Sequence, residues 1–423
     1  MTTSDVDATT ASGGPYMTEA RHRAGPVLDP ETQVTVARRL FAHIDNKTTD
    51  SADEILRFDA SVYTDPRILA REREMIFDTT PVIVAHSSEI ARPNDFLRVS
   101  LPGADVLVVR QRDGGVKAML NSCRHRGTAL TLEMSGNKKL FMCPYHAWCY
   151  GPDGSLDFVT DAATVGPIDK KSFGLIQVPC EERHGLVWVI PNPDAAISVA
   201  GSLGPDLDAM MAGYQLGGYY CYRMDAYERA VNWKMLFDAF LDNYHIQYLH
   251  AKSVAPFFYN NTMFVQDLGR NSRIVSTRKR IDEIRHSDPA QARLDKYVTL
   301  GHLVWPNAQL LRQPTHFELF TFVPDGHDPA KARMEIRLLA PEPAQSPDQI
   351  NRWEKNWEIL LQTIVDEDLA NCESLQKAMT NSHLKPLLLG KNELLNQIFH
   401  RELIEALGGD SEGGIAHLYS RNW

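Results

Sequence analysis

Residues 232–250 read NWKMLFDAFLDNYHIQYLH, and this stretch decides how the rest of the sequence is interpreted. Its apolar residues recur at roughly helical intervals, which predicts one largely buried helix whose apolar face includes Tyr244 and Tyr248. Four polar side chains lie within this apolar run: Asp238, Asp242, His245 and His250. A buried run does not carry that many polar groups without partners, because unpaired buried charge is costly.

The spacing of the two histidines limits how they act together. His245 and His250 are five residues apart, which separates them by about 140° on a regular helix. They can share one metal ion only if the helix loosens through a π-type turn or ends between them. The competing interpretation is a pair of hydrogen-bonded core histidines, and this segment alone leaves both open. With a carboxylate from elsewhere, the two imidazoles would complete the ligand set of a non-haem Fe(II) ion.

A second set of metal-binding residues lies among short strands. It reads Cys123-Arg-His125 and then, after 17 further residues, Cys143-Pro-Tyr-His146. Two cysteines and two histidines are the ligands of a Rieske [2Fe–2S] cluster. A structural zinc site is the alternative, but zinc spacings usually pair Cys with Cys and His with His. The alternation of the two residue types therefore favours the iron–sulfur cluster.

A long helical pattern over residues 348–379 offers three acids as the missing carboxylate. Its apolar face is defined by Trp357, Leu361, Ile364, Cys372 and Leu375. At about 100° per residue, Asp368 falls near the centre of this face, Glu367 at its edge and Asp366 nearly opposite. An acid at the centre of a buried face needs a cation, so Asp368 is the predicted third ligand.

The pattern of elements predicts three parts. Residues 1–60 form a flexible N-terminus with short helices, residues 61–195 a small antiparallel β domain, and residues 196–423 a larger domain of strands and helices. The stretch 191–206, rich in Pro, Gly, Ser and Ala, is the predicted domain boundary.

Composition excludes several classes of protein. The net charge of −10 argues against a general nucleic-acid binder and against an anionic membrane surface. No apolar run approaches the roughly 20 residues that span a bilayer, and the N-terminus lacks the features of a signal peptide. Six cysteines in 423 residues do not indicate a disulfide framework, so a cytoplasmic protein is predicted.

Together these motifs resemble the large (alpha, oxygenase) subunit of the Rieske non-haem iron ring-hydroxylating oxygenases. The resemblance runs from about Tyr63 to Gln376 and rests on CRHRGTAL, CPYHAWCYGPDGSL, NWK…D-x-x-H-x-x-x-x-H and DEDLANCESLQ. It implies an α+β protein, with a small antiparallel β Rieske domain followed by a helix-grip catalytic domain whose antiparallel sheet packs against helices. A [2Fe–2S] cluster and a mononuclear Fe(II) ion are the implied cofactors.

The resemblance also implies partners. A neighbouring subunit of a homotrimer or α3 ring, with or without a β subunit, supplies the close pair of metal centres. Asp242 matches the carboxylate that bridges the two, so the implied path between subunits is His146–Asp242–His245. Electrons come from NAD(P)H through a separate reductase, with or without a ferredoxin. The sequence has no GxGxxG unit in a strand–turn–helix context, so the chain itself is not expected to bind a nicotinamide or flavin.

The implied reaction is O₂-dependent hydroxylation of an aromatic compound, with an aromatic acid ranked first. Oxidation of a quaternary amine or an N- or O-methyl substrate ranks second. A zinc-stabilised, non-catalytic binding protein and a pure electron carrier are the alternatives from other classes. Six residues are predicted to line an apolar pocket: Phe240, Leu241, Val304, Trp305, Leu310 and Phe320. Arg270 and Arg312 are weaker candidates for pairing with a substrate carboxylate.

Three positions depart from the family pattern. Thr80-Pro81 stands where a tryptophan often precedes the first Rieske strand, Ala147 replaces the usual glycine, and Asp238 takes a place where some relatives carry asparagine. Four residues form a basic patch near the cluster loops: Arg124, Arg126, Lys138 and Lys139. The hypothesis is that this patch docks an acidic electron donor, and the alternative is a solvated loop whose charge is incidental.

Overall fold

The computed structural model describes residues 28–381 and 383–420, so the predicted flexible lead-in at residues 1–27 lies outside the described part. The first elements are α1 (Pro30–Asn46), β1 (Leu56–Phe58), α2 (Ser61–Thr64) and α3 (Pro66–Glu72). Helix α3 begins where the sequence predicts, because the Asp65 carboxylate accepts a hydrogen bond from the Arg67 backbone N–H and Pro66 occupies the first turn.

The next region is built almost entirely from short strands. Its elements are β2 (Val82–His86), β3 (Asp95–Leu101), β4 (Ala104–Arg110), β5 (Val116–Leu120), β6 (Ser135–Asn137), β7 (Phe141–Met142), β8 (Cys149–Tyr150), β9 (Leu156–Phe158), α4 (Ala162–Val165), β10 (Gln177–Val178), β11 (Cys180–Arg183) and β12 (Leu186–Val189). They form antiparallel sheets in the orders β10-β5-β4-β3-β6, β11-β12-β2 and β7-β8-β9. Strand β4 is buried on both sides, with Val106 and Val108 in one core and Leu107 and Val109 in the other.

The remaining elements form a large sheet with helices on both of its faces. They are α5 (Val199–Tyr214), β13 (Tyr220–Arg229), α6 (Trp233–Asp238), α7 (Ile246–Leu249), β14 (Phe258–Leu268), β15 (Asn271–Arg278), β16 (Val298–Val304), β17 (Ala308–Arg312), β18 (Phe317–Pro324), β19 (Ala332–Ala340), α8 (Pro347–Leu361), a π-helical segment (Gln362–Leu369), α9 (Ala370–Met379), β20 (Leu387–Leu389), α10 (Leu394–Ala406) and β21 (Tyr419–Ser420). Seven strands pair antiparallel in the order β13-β19-β18-β17-β16-β15-β14, and β20-β1-β21 form a small separate sheet. The predicted α+β fold is confirmed.

The predicted boundary stretch, residues 191–206, is helical in its second half. Helix α5 begins at Val199, with the Ser198 side chain accepting a hydrogen bond from the Gly201 N–H. Val199 and Leu203 are buried against the large sheet. The glycine and proline that suggested a loop mark a kink inside the helix, where Gly204 has φ 72° and Pro205 follows.

A buried arginine joins the first β region to the large sheet. Arg337 on β19 is 1% exposed, and its Nε lies 2.8 Å from Glu89 Oε2 in the first β region. Its Nη2 lies 2.8 Å from Glu335 Oε2 and donates to the Val84 carbonyl on β2 at 3.0 Å. Two carboxylates therefore compensate one buried guanidinium at the boundary between the regions. Among the described helices, none is long and apolar enough to cross a bilayer.

Candidate metal centres and their cavity

The predicted single helix over residues 232–250 is wrong, because the structure divides it into α6 and α7. His245 lies immediately before α7 and His250 immediately after it. Tyr244 and Tyr248 were predicted on the buried face, but they are 50% and 68% exposed. A tyrosine can lie in an apolar pattern and still keep its hydroxyl in water, which explains the misreading. Helix α7 ends at Leu249, between the two histidines, which is one of the two conditions under which they can share a metal.

The two histidines converge on Asp368, as the metal-site hypothesis requires. The Nε2 atoms of His250 and His245 lie 3.2 Å and 3.8 Å from Asp368 Oδ1, and the three ligand atoms all fall within 4.8 Å of one another. Asp368 is 3% exposed, and its Oδ1 has no hydrogen-bond partner. A buried carboxylate oxygen facing two imidazole nitrogens fits a bound divalent cation. Asp366, predicted to face away, is exposed.

Two further carboxylates orient the histidines. Asp242 Oδ2 lies 3.0 Å from His245 Nδ1, and Glu367 Oε2 lies 2.6 Å from His250 Nδ1. Each contact engages the Nδ1 side of the ring and leaves Nε2 directed at Asp368. Ser253 Oγ donates to the same Glu367 oxygen at 2.6 Å. The sequence analysis missed the role of Glu367, although its position at the edge of the apolar face next to Asp368 was a usable signal.

Electrostatics at the histidines follows from these contacts. Burial lowers the pKa of His245, but the hydrogen bond and charge of Asp242 outweigh it and leave the pKa above its usual value. Burial also lowers the pKa of His250, but the contacts with the Asp368 and Glu367 carboxylates outweigh burial and raise this pKa above its usual value. Both imidazoles therefore sit in negative potential, which is the surrounding that attracts a cation.

The NWK motif anchors α6 beneath this site. The Asn232 side-chain amide donates to the carbonyls of Tyr63 and Pro329 at 3.0 Å and 2.8 Å, and its backbone N–H donates to Gln376 Oε1 at 2.8 Å. Lys234 Nζ lies 2.5 Å from Glu72 Oε1, and both side chains are at most 1% exposed. The Trp233 indole N–H donates to the other Glu72 oxygen at 2.8 Å. These contacts fix where the histidine segment begins.

Asp238 takes part in a buried polar cluster next to the metal ligands. It accepts a hydrogen bond from the Tyr63 hydroxyl at 2.7 Å, and His400 Nε2 lies 3.1 Å from the same oxygen. The other His400 nitrogen lies 2.8 Å from the Tyr419 hydroxyl. Asp238 thereby ties α6 to α10 and to the last described strand.

The cluster motif occupies two tight loops that face each other. Cys123 and Cys143 are buried, whereas His125 is exposed and His146 is half-buried, with the two imidazole centroids 4.6 Å apart. The Tyr150 hydroxyl lies 3.3 Å from Cys123 Sγ and accepts a hydrogen bond from the Arg124 N–H. Burial raises the pKa of the Cys123 thiol, so a thiolate there requires a metal to balance its charge. Two buried thiols beside two outer imidazoles fit a Rieske cluster.

The backbone of both loops is closed by short-range hydrogen bonds. The Gly127 N–H donates to the Cys123 carbonyl at 2.8 Å, and the Ala147 N–H donates to the Cys143 carbonyl at 3.0 Å. Gly127 has φ 78° and Ala147 has φ 52°, so both adopt the left-handed conformation. Glycine is favoured at such positions, which gives a physical reason for the glycine that the family usually has in place of Ala147. His146 Nδ1 has no hydrogen-bond partner, as a free ligand atom requires.

A cavity of about 380 Å³ opens beside the mononuclear site between the large sheet and the helix containing Asp368. Phe240 and Phe320 line it, as predicted, with ring centroids 5.0 Å apart. The other four predicted lining residues are not among the residues that form its wall and lie instead in the core: Leu241, Val304, Trp305 and Leu310.

Neither predicted arginine reaches the cavity. Arg270 is exposed in the β14–β15 turn, and Arg312 is buried with its Nη2 2.8 Å from Asp295. Arg278 is the arginine that lines the cavity. Side chains alternate along a strand, so Leu311 faces the cavity while Arg312 faces away. The same period-two pattern in Ile274, Ser276 and Arg278 was the signal that could have identified Arg278.

The fold and the two ligand sets define a protein with an iron–sulfur region and a separate oxygenase-type metal centre. Residues 80–169 match the family model of the Rieske [2Fe–2S] domain, and residues 218–409 match that of the ring hydroxylating alpha subunit (catalytic domain). The chain belongs to the family of Rieske non-haem iron oxygenase large subunits. Both matched segments fall inside the second and third predicted parts of the chain, whose boundaries stay a prediction.

Sequence relatives carry both kinds of oxygenase name. The anthranilate 1,2-dioxygenase large subunit of Acinetobacter baylyi is 34% identical over 48% of this chain. The carnitine monooxygenase oxygenase subunit of Escherichia coli is 33% identical over 44% of this chain. The aligned segments span 44% and 50% of these two relatives, respectively.

Solved structures support the same fold over most of the chain. A quaternary ammonium Rieske monooxygenase matches with a TM-score of 0.71 at 22% identity, covering 84% of this chain and 96% of that one. Naphthalene 1,2-dioxygenase from Rhodococcus sp. matches with a TM-score of 0.68 at 19% identity, covering 90% and 99%. Likeness at this level of identity concerns the fold.

Proposed function

We propose that this chain is the terminal oxygenase component of a Rieske non-haem iron system that hydroxylates an aromatic compound. The observation that carries this function is the convergence of His245, His250 and Asp368 beside an apolar cavity. A mononuclear iron held by these three residues would supply O₂ activation at this site. Asp242 and Glu367 keep the imidazoles in place, while Phe240 and Phe320 provide an apolar wall.

We assign Cys123, His125, Cys143 and His146 as the ligands of the cluster, which supplies single electrons when bound. These electrons come from NAD(P)H through a separate reductase, with or without a ferredoxin. Arg126 and Lys139 are the exposed members of the basic patch, because Arg124 donates to the Gly174 carbonyl and Lys138 pairs with Glu133. An acidic electron donor docking there makes turnover depend on ionic strength, and a rate insensitive to salt contradicts this docking site.

We infer that the electron path crosses between two copies of the chain, in a trimer or α3 ring. None of the hydrogen bonds, ion pairs and ring contacts of the described residues joins the cluster loops to the mononuclear site within one chain. Exposed apolar side chains surround each site. Leu132, Met142 and Tyr145 lie near the cluster loops, and Tyr244, Tyr248, Phe257 and Leu388 lie on the catalytic side. Two apolar patches of this kind fit surfaces that cover each other in an assembly.

The path we propose is His146 of one copy, Asp242 of the next and then His245. The Asp242 carboxylate accepts from the His245 backbone N–H at 2.9 Å and contacts the ring at 3.0 Å, so it is held firmly on one side. Its side chain is 12% exposed, which leaves an approach for a partner imidazole. Burial raises the pKa of Asp242, but the hydrogen bond from His245 outweighs it, so the carboxyl group stays ionised.

Subunit complementation tests this path directly. Co-expression of a Cys143→Ser chain with an Asp368→Ala chain produces assemblies in which no single chain has both metal centres. Electron transfer between neighbours restores O₂-dependent product formation in the mixed assembly, whereas each variant alone is inactive. Mixed assemblies of demonstrated composition that remain inactive contradict the crossing path.

The function itself is tested by reconstitution with a surrogate reductase, NADH and a panel of aromatic acids. The expected result is hydroxylated product formed in proportion to O₂ consumed, with product lost in His245→Ala while the rhombic EPR signal of the reduced cluster persists. NADH consumption without any oxidised product across the panel contradicts the proposal, as does a colourless protein that contains zinc and no iron.

A second candidate substrate class is a quaternary amine or N-methyl compound. Two of the relatives described above are named for carnitine and for quaternary ammonium compounds. The cavity offers Phe240, Phe257, Phe258 and Phe320 as rings for cation–π contacts. Including carnitine in the same panel separates demethylation from ring hydroxylation by the product formed.

A further inference from the structure

A polar cluster lies at one end of the large sheet, inside the same cavity as the metal centre. Arg278 ends β15, Thr299 is near the start of β16, Gln313 follows β17 and Glu318 is near the start of β18. In an antiparallel sheet these positions share one end, and the register Ser276–Thr299 and Arg312–Phe317 brings them side by side. All four line the cavity.

Hydrogen bonds fix the direction of the Arg278 side chain. Its Nε donates to Thr299 Oγ1 at 3.1 Å, and its Nη2 donates to Gln313 Oε1 at 2.5 Å. The Gln313 amide donates in turn to Glu318 Oε2 at 2.8 Å, so Glu318 is separated from Arg278 by an amide group. The guanidinium also lies over the Phe258 ring, 5.0 Å from its centroid. A long side chain held at this many points is pre-organised to recognise a ligand.

The charge of Arg278 has no directly paired acid among the described residues, and the nearby Glu318 acts on it only across the Gln313 amide. Among the described residues, no carboxylate lies within ion-pair distance of its guanidinium, and no other arginine or lysine lines the cavity. Glu318 is already engaged by His316 Nε2 at 3.1 Å and by the Gln313 amide. Burial lowers the pKa of Arg278, because it takes the cation out of water, and the charge of Glu318 offsets this only in part. An anionic ligand would remove this cost.

Strand geometry relates Arg278 to the metal centre. Ser276 Oγ donates to Asn243 Oδ1 at 3.0 Å, and Asn243 is two residues from His245. Arg278 is two residues beyond Ser276 on the same face of β15, a separation of roughly 7 Å along the strand. The cavity wall also includes the apolar side chains of Ile274, Leu311 and Phe320. The same cavity thus holds a cationic side chain, apolar side chains and the three predicted metal ligands.

We propose that Arg278 binds the carboxylate of a monocyclic aromatic acid and thereby places its ring beside His245, His250 and Asp368. This inference rests on the proposed function of the cavity and names its substrate class. A neutral aromatic hydrocarbon would leave the guanidinium uncompensated, and a cation without an acid group would be repelled by it.

Equilibrium binding to the Fe(II)-loaded holoenzyme under anaerobic conditions tests the anchor without any turnover. Benzoate is the charged probe, benzamide is its neutral counterpart, and calorimetry measures both. Benzoate is expected to bind the natural protein at least tenfold more tightly than benzamide. Arg278→Gln is expected to lose at least tenfold in benzoate affinity while its benzamide affinity stays within twofold. Arg280→Gln is the matched control, since Arg280 is exposed and paired with Glu283.

Each result decides whether Arg278 binds the carboxylate of an aromatic acid. Equal affinities for benzoate and benzamide in the natural protein overturn the anchor without requiring any variant to fold, and so does unchanged benzoate binding in Arg278→Gln. If carnitine binds in an Arg278-dependent manner and benzoate does not, the aromatic acid is overturned. Failure of the proposed function appears differently, as Arg278-dependent benzoate binding in a protein that forms no O₂-derived product.

Discussion

The cluster loops and the mononuclear site place histidine in opposite surroundings. His125 is exposed and stacks on Trp148 with centroids 5.0 Å apart, and its loop is shaped by backbone hydrogen bonds spanning a few residues. His250 is 2% exposed and is oriented by Glu367, which is 117 residues away in the chain. One site is built locally and opens outward, while the other is assembled from distant segments and faces inward. The first can be read from a motif, whereas the second depends on the packed fold.

Removing the mononuclear site alone tests whether the two sites are independent of each other. Asp368→Ala deletes the buried carboxylate between the two imidazoles, so we expect loss of the mononuclear iron and of product formation. The EPR signal of the reduced cluster is expected to be unchanged, because the loops share no contact with Asp368. Asp366→Ala, an exposed acid on the same helix, should keep both iron and activity. Loss of the cluster signal in Asp368→Ala would show that the two sites are not independent.

The second prediction concerns how the inward-facing site is anchored. Lys234→Met leaves the Glu72 carboxylate buried without its cation, which should lower the free energy of unfolding by about 3–5 kcal/mol. Urea denaturation followed by fluorescence measures this change. The double variant Lys234→Met/Glu72→Gln removes the stranded charge and should recover much of the loss. An unchanged midpoint in the single variant would mean that the ion pair does not anchor α6.

A smaller effect is expected from the carboxylate that orients His250. Glu367→Ala removes the acceptor at Nδ1 and frees the ring, so the affinity for the mononuclear iron should fall by about 10–100-fold. Titration with a competing chelator measures the affinity, and Asp366→Ala again provides the control. An iron affinity equal to that of the control would leave Glu367 with no role in orienting the ligand.

The smallest predicted effects test the locally built loops. Ala147→Gly relieves a left-handed alanine and should stabilise its loop by about 1 kcal/mol, whereas Gly127→Ala should destabilise the facing loop by a similar amount. A Cβ at Gly127 has space, with Ser122 Oγ as its nearest contact at 3.7 Å, so the effect comes from the backbone. Guanidinium-induced loss of the cluster absorbance measures both. Shifts of the same sign would contradict this explanation.

The comparison also explains which features sequence reasoning recovers. The short strands of the first β region were predicted from the sequence, and the position of Asp368 followed from one helical face. The break between α6 and α7 could not be predicted, because Tyr244 and Tyr248 fit the apolar pattern although they face solvent. Arg278 was missed because choosing it over Arg312 requires knowing which strand face lines the cavity. Tertiary packing decides which alternate side chains of a strand face the cavity, and a single sequence does not show this.

The buried Arg337 connection has a consequence for how electrons travel. Separating the two regions at this boundary would leave Arg337 paired with Glu335 alone and would take from the Glu89 carboxylate the guanidinium that compensates its charge. The Arg337 contacts therefore oppose hinge motion between the first β region and the large sheet. In the proposed path between two copies of the chain, the distance from His146 to Asp242 of the next copy would then depend on how the copies pack together.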